Sequence, residues 1–149
     1  MPSENKRLVL RIFLELWNQR KLAVADEIFA SSYIHHDPAT PDFGKGPEGV
    51  KQTAILYRNA FPDLLFTVDQ MIDTGQLITT RFTSQGTHKG ELRGIAPTNK
   101  PVKVEGIVVH RASRGRIAEG WVMWDALGLM QQLGVVPALE KAKAAVSNK

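Results

Sequence analysis

The residues of this chain with the most evident chemical potential close its last apolar run, Glu119-Gly120-Trp121-Val122-Met123-Trp124-Asp125, where a carboxylate ends an aromatic segment. In a strand alternate side chains share a face, so Trp121, Met123 and Asp125 point one way and Val122 and Trp124 the other. An acid desolvated by an indole and a thioether would have a raised pKa and could move protons near neutral pH. A second reading is equally open. Ala126 to Leu133 has the pattern of a helical turn, and Asp is a favoured N-cap.

Further polar groups lie inside apolar runs. Arg81 shares strand parity with Leu77, Thr79 and Thr83, whereas Ile78 and Phe82 share the other face; Glu105 runs with Ile107 and Val109, and His110 with Val104 and Val108. Register between strands is not readable, so contact of Arg81, Glu105 or His110 with Asp125 stays open, and cross-strand surface pairs are the alternative for Arg81 and Glu105. His35-His36-Asp37 invites a metal reading, but adjacent residues rarely converge on one ion, and the spacings to His88 and His110 match no zinc pattern. No metal is expected. His36 is read as a polar group at a pocket mouth or as ordinary loop hydrogen bonding, with Asp37 starting the Pro38 turn. His88 stands where a strand meets a glycine-rich loop, a place for ligand contacts or for exposed polar residues.

These residues need elements to position them. Leu8, Ile12 and Leu16, with Val9, Phe13 and Trp17, recur at helical spacing and predict a long first helix. A shorter helix fits Leu22 to Ala30, and Ser31 to about Pro47 reads as a Pro- and Gly-rich loop. Pro47 and Glu48 then open a third helix through Val50, Ala54, Tyr57 and Phe61. From there the period becomes two, predicting strands near Leu65–Ile72, Leu77–Thr87, Val102–Arg111 and Arg116–Asp125. Helices followed by a strand meander argue for an α+β fold with one antiparallel sheet wrapped around the helices. Ala138 to Lys149 reads as a frayed helix without assigned function.

Composition narrows the class. A chain of 149 residues, 43% hydrophobic, suits one domain, with its core at about 6–134 and a tail at 138–149. There is no cysteine, which excludes disulfides and thiolate chemistry and fits a cytoplasmic location. The first residues lead into an amphipathic pattern interrupted by Arg11 and Glu15, unlike a signal peptide, and no run is long enough to span a bilayer. The net charge is +4, but the nineteen basic residues are scattered, with a small group at Lys141, Lys143 and Lys149; this is a solvated surface rather than a nucleic-acid footprint.

Several segments in order, Tyr33-Ile34-His35-His36-Asp37-Pro38, Phe61-Pro62-Asp63, Gly86-Thr87-His88-Lys89-Gly90-Glu91, Gly94-Ile95-Ala96-Pro97-Thr98 and Trp121 to Gln132, resemble the SnoaL-like polyketide cyclases, or predicted ester cyclases, over roughly Lys6 to Gly134. The resemblance implies the cone-shaped α+β barrel of the nuclear-transport-factor-2-like superfamily, with an apolar pocket and commonly a homodimer. It also implies a cofactor-free intramolecular aldol closure on a small apolar or polycyclic carbonyl or ester. Asp125 matches the family's acid/base aspartate, and His110, His36 and His88 are candidates for its histidine. Trp121, Trp124, Met123, Phe82 and Tyr33 would pack the substrate, with Arg81 as a further contact, or would simply be core. The runner-up is another cofactor-free pocket enzyme, an isomerase or epoxide hydrolase, needing Arg81 or Glu105 against Asp125. A non-catalytic binder of small apolar molecules is the third reading, and it leads if Asp125 faces solvent as a helix cap.

Overall fold

Ser3 starts the first helix by accepting the Lys6 backbone N–H on its hydroxyl at 3.0 Å, a cap that satisfies one of the helix's free N–H groups. The computed structural model describes residues 3–137, so the frayed helix read for the tail and its lysine group lie outside the described residues. Helix α1 spans Glu4–Arg11 and then widens into a π-helical segment, Ile12–Asn18, where one long α-helix was expected. The wide turn carries Ile12, Phe13 and Leu16 inward, and its last residue is tied down. Asn18 donates to the Phe66 carbonyl at 2.9 Å and accepts the Phe66 N–H at 2.8 Å.

The helix read at Leu22–Ala30 is cut short. Leu22–Val24 forms a 3-10 turn, α2 covers only Ala25–Ile28, and strand β1 takes Phe29–His36, most of which was read as loop. Its inward residues, Phe29 and Tyr33, are four apart and separated by serines, so no period of two is visible. Helix α3 follows over Gly46–Ala60 with Pro47 in its first turn. Gly49 there faces the Gly44 carbonyl so closely that a Cβ would collide with it, which lets the 37–45 segment fold down on the helix.

Strands β2 (Leu65–Asp73), β3 (Leu77–Thr87), β4 (Pro101–Ser113) and β5 (Arg116–Trp124) form the meander, and α4 (Ala126–Gln132) closes the described chain. The sheet order is β1-β5-β4-β3-β2, antiparallel except for the parallel β1–β5 pair. The sheet is curved and unclosed, with the helices packed on its concave face. Ile78, Thr80 and Phe82 of β3 and Val104, Val108 and His110 of β4 face the helices, whereas Arg81, Glu105 and Ile107 face away. One core cluster joins Ile78, Phe82 and Val108 to Val9, Phe13, Leu16 and Ile28. No described helix is long and apolar enough to cross a membrane.

Candidate functional site

Between the helices and the concave sheet face lies a cavity of about 150 Å³. Its apolar end is a ring cluster: Phe13 sits 5.7 Å from Phe82 and 5.8 Å from Phe66, and Trp17 lies 4.8 Å from Phe66 between ring centres. The π-helical turn supplies Phe13 and Trp17, so this irregular part of the first helix builds the wall.

The polar end comes from β1 and the sheet centre. Tyr33, His35 and Asp37 are spaced by two, and all three line the cavity, as does His110 of β4. The β1–β5–β4 register sets His35, Gly120 and His110 in one row. Gly120 has to be glycine, since a Cβ there would run into the Tyr33 hydroxyl and come within 3.2 Å of His110 Cδ2. Through that gap the Tyr33 hydroxyl reaches His35 Nδ1 at 2.8 Å. His35 Nε2 stands 4.0 Å from Asp37 Oδ2. Asp37 accepts the Ala39 N–H at 2.9 Å, the Thr40 hydroxyl at 2.5 Å and the Trp124 indole N–H at 3.2 Å from each oxygen. It is the one carboxylate among the described residues lining the cavity, and its side chain is 6% exposed.

Burial sets the protonation states. His110 is pushed down to about 3 by desolvation, with His35 adding a smaller effect, so its imidazole is neutral at pH 7. His110 Nδ1 is enclosed without a partner among the described residues, which leaves Nε2 as the nitrogen it can present. His35 is also lowered, chiefly by desolvation and against the pull of Asp37. Tyr33 is raised, first by burial and then by Glu119, and keeps its proton.

Of the residues singled out in the sequence, Tyr33, Phe82, His110 and Trp124 come together here. Asp125 does not. The face it shares with Trp121 and Met123 is the solvent face, and its carboxylate accepts the Gly128 N–H at 2.9 Å as the N-cap of α4. The expectation of a desolvated acid at that position is corrected: strand alternation grouped the three residues properly, but the sheet turns that group outward. Arg81 is also on the outer face, 3.4 Å from Gln70 and 3.9 Å from Asp69, and Glu105 is exposed; neither bonds the Asp125 side chain. His36 reaches only an outer depression, stacked on Trp121 and bonded to Glu119 at 2.7 Å. His88 is fully buried away from the cavity, where its Nδ1 accepts the Thr98 N–H at 3.2 Å and pins the following loop.

His35 and Asp37 are the polar residues that sequence reading passed over for this role. The spacing of two along Tyr33, His35 and Asp37 was the available signal, hidden because the segment read as a loop. Among the described residues no three His, Asp or Glu side chains are grouped to hold a metal ion.

A family model described as SnoaL-like polyketide cyclase matches residues 7–133. Among solved structures, the chain is similar to IdmH of Streptomyces antibioticus, a candidate polyketide cyclase, at 27% identity and TM-score 0.74, covering 89% of this chain and 99% of that one. A candidate polyketide cyclase of Acidithiobacillus ferrooxidans matches at 27% identity and TM-score 0.78, covering 91% and 97% respectively. AclR of Streptomyces galilaeus, a candidate hydroxylase, shares the fold at 24% identity and TM-score 0.81, over 97% of this chain and 90% of that one. No curated protein matches the sequence.

Proposed function

We propose that this chain, which belongs to the SnoaL-like polyketide cyclase family, catalyses a cofactor-free, aldol-type ring closure on an apolar carbonyl compound, with Asp37 as the proton-transfer group. The observation that carries this reading is one enclosed carboxylate sharing the polar end of an apolar cavity with two imidazoles and a phenol. Asp37 takes a proton from the carbon beside a carbonyl, and the electron pair moves into the enolate. Neutral His110 and the protonated Tyr33 hydroxyl supply hydrogen bonds to the developing oxyanion, as neutral donors in a dry site do efficiently. The enolate carbon then bonds to a second carbonyl carbon, and the new alkoxide takes back the proton held by Asp37. Trp124, Ala39 and Thr40 fix the carboxylate's orientation through this cycle.

A second reading, a non-catalytic binder, is favoured by two observations: Asp125 faces solvent as the N-cap of α4, the outcome that the sequence reading tied to a binder, and Asp37 already accepts three donors, as an anchor would. Exchange of substrate α-protons for deuterium, followed by NMR, separates the two. Catalysed exchange that Asp37→Asn abolishes supports the enzyme; ligand binding without exchange supports the binder.

The homodimer reading draws support from the outer sheet face. Met123 is 70% exposed, Ile107 48% and Trp121 40%, an apolar group that a second copy would cover.

A further inference from the structure

The cavity is small and it has an antechamber. About 150 Å³ is the size of a hole that takes benzene, whereas drug-sized ligands occupy ~300–1,000 Å³. The interlocked rings of Phe13, Phe66 and Phe82, whose centres lie 5.4 to 5.8 Å apart, form part of its wall. A second space of about 330 Å³ adjoins it, formed by the 37–45 segment against α3. Tyr33, His35, Asp37, Val50 and Thr53 line both spaces and so form the neck between them. The outer space is the more polar of the two; its acids are Asp37 and Asp42, with His35 and His36 beside them.

We propose that the substrate is a one-ring carbonyl compound with a short uncharged polar arm, such as an aryl β-keto ester whose ring carries an ortho acyl group as the second carbonyl that the enolate carbon attacks, rather than a polycyclic molecule; ethyl benzoylacetate, which lacks that acyl group, stands in for binding and α-proton exchange alone. The ring enters the inner chamber, the arm lies in the outer space, and the carbonyl stops at the neck. There the α-carbon meets Asp37 and the carbonyl oxygen meets His110 or Tyr33. A carboxylate arm would face Asp37 and Asp42 and is excluded by like charge. This specificity rests on the acid/base reading of the site only for where the reacting carbon sits; the size and polarity limits do not need it.

The test uses the full chain, with binding read from the tryptophan fluorescence to which Trp17 and Trp124 contribute and from the thermal midpoint. The probes are ethyl benzoylacetate, its naphthoyl homologue, free benzoylacetate and a tetracyclic anthraquinone ester. Ethyl benzoylacetate should bind at least tenfold more tightly than each of the other three. Phe66→Leu should recover most of the loss for the naphthoyl compound, and Phe82→Leu is the second variant if the first fails to fold. Equal or tighter binding of the tetracyclic ester by the wild-type chain overturns the proposal, as does tight binding of free benzoylacetate. Proton exchange is scored separately. One-ring binding without Asp37-dependent exchange keeps the size limit and removes the acid/base reading; exchange on the larger probes does the reverse.

Discussion

Asp37 and Asp125 make a direct contrast at the scale of single residues. Asp125→Ala removes a helix cap and should cost ~0.5–2 kcal/mol in chemical denaturation, while α-proton exchange stays at the wild-type rate. Asp125→Asn, which keeps a capping side chain, should change neither. Asp37→Asn should lower exchange by about 100-fold or more, within the range that acid/base groups contribute. His110 gives a second residue-scale expectation. Its folded pKa of about 3 lies below the ordinary value of 6.5, so the unfolded chain takes up the proton first as pH falls. Stability is therefore full above about pH 6.5, declines between 6.5 and 3, and levels off below. Over the two units from 6.5 to 4.5 this amounts to ~2–3 kcal/mol. Melts of wild-type and His110→Gln protein at pH 7 and 4.5 check it: the variant should lose less on acidification, and an equal loss would contradict the assignment. The sequence showed which groups could titrate, but not which face of the sheet they would occupy. That face follows from strand pairing over long separations, which parity within one strand does not contain.

The elements position these residues through two devices. Gly120 leaves the gap through which Tyr33 meets His35, so Gly120→Ala should overpack the row, costing ~1–3 kcal/mol, and should also reduce exchange. Restored exchange in a well-folded Gly120→Ala protein would show that the Tyr33–His35 contact is dispensable. Asn18 joins the π-helical turn to the Phe66 backbone with two hydrogen bonds. Strands β2 to β5 and helix α3 were legible because long segments with a clean period announce themselves. The π-helical turn and β1 were not. The first keeps a helical pattern of apolar residues despite its wider pitch, and the second is a polar strand on the sheet edge with only Phe29 and Tyr33 buried. Because β1 carries His35 and leads directly to Asp37, missing it hid the polar end of the cavity.

At the scale of the whole molecule, the curved sheet does two separate jobs. Its concave face holds the cavity, and its convex face exposes Trp121, Met123 and Ile107, the apolar group proposed to meet a second copy. Light scattering should find the 16.5 kDa chain at about twice its mass, and Met123→Glu combined with Trp121→Glu should give a folded monomer. A wild-type monomer at micromolar concentration would refute the dimer. Element order announced the α+β class and the resemblance of five short segments announced the family, but the interior chemistry depended on which side of the sheet faces the helices. The most direct test of the central claim is NMR measurement of α-proton exchange in deuterium oxide on ethyl benzoylacetate, above the buffer rate, with wild-type, Asp37→Asn and Asp125→Asn proteins side by side. The account predicts catalysed exchange in wild type and Asp125→Asn and only the buffer rate in Asp37→Asn; exchange lost in Asp125→Asn and kept in Asp37→Asn would contradict it.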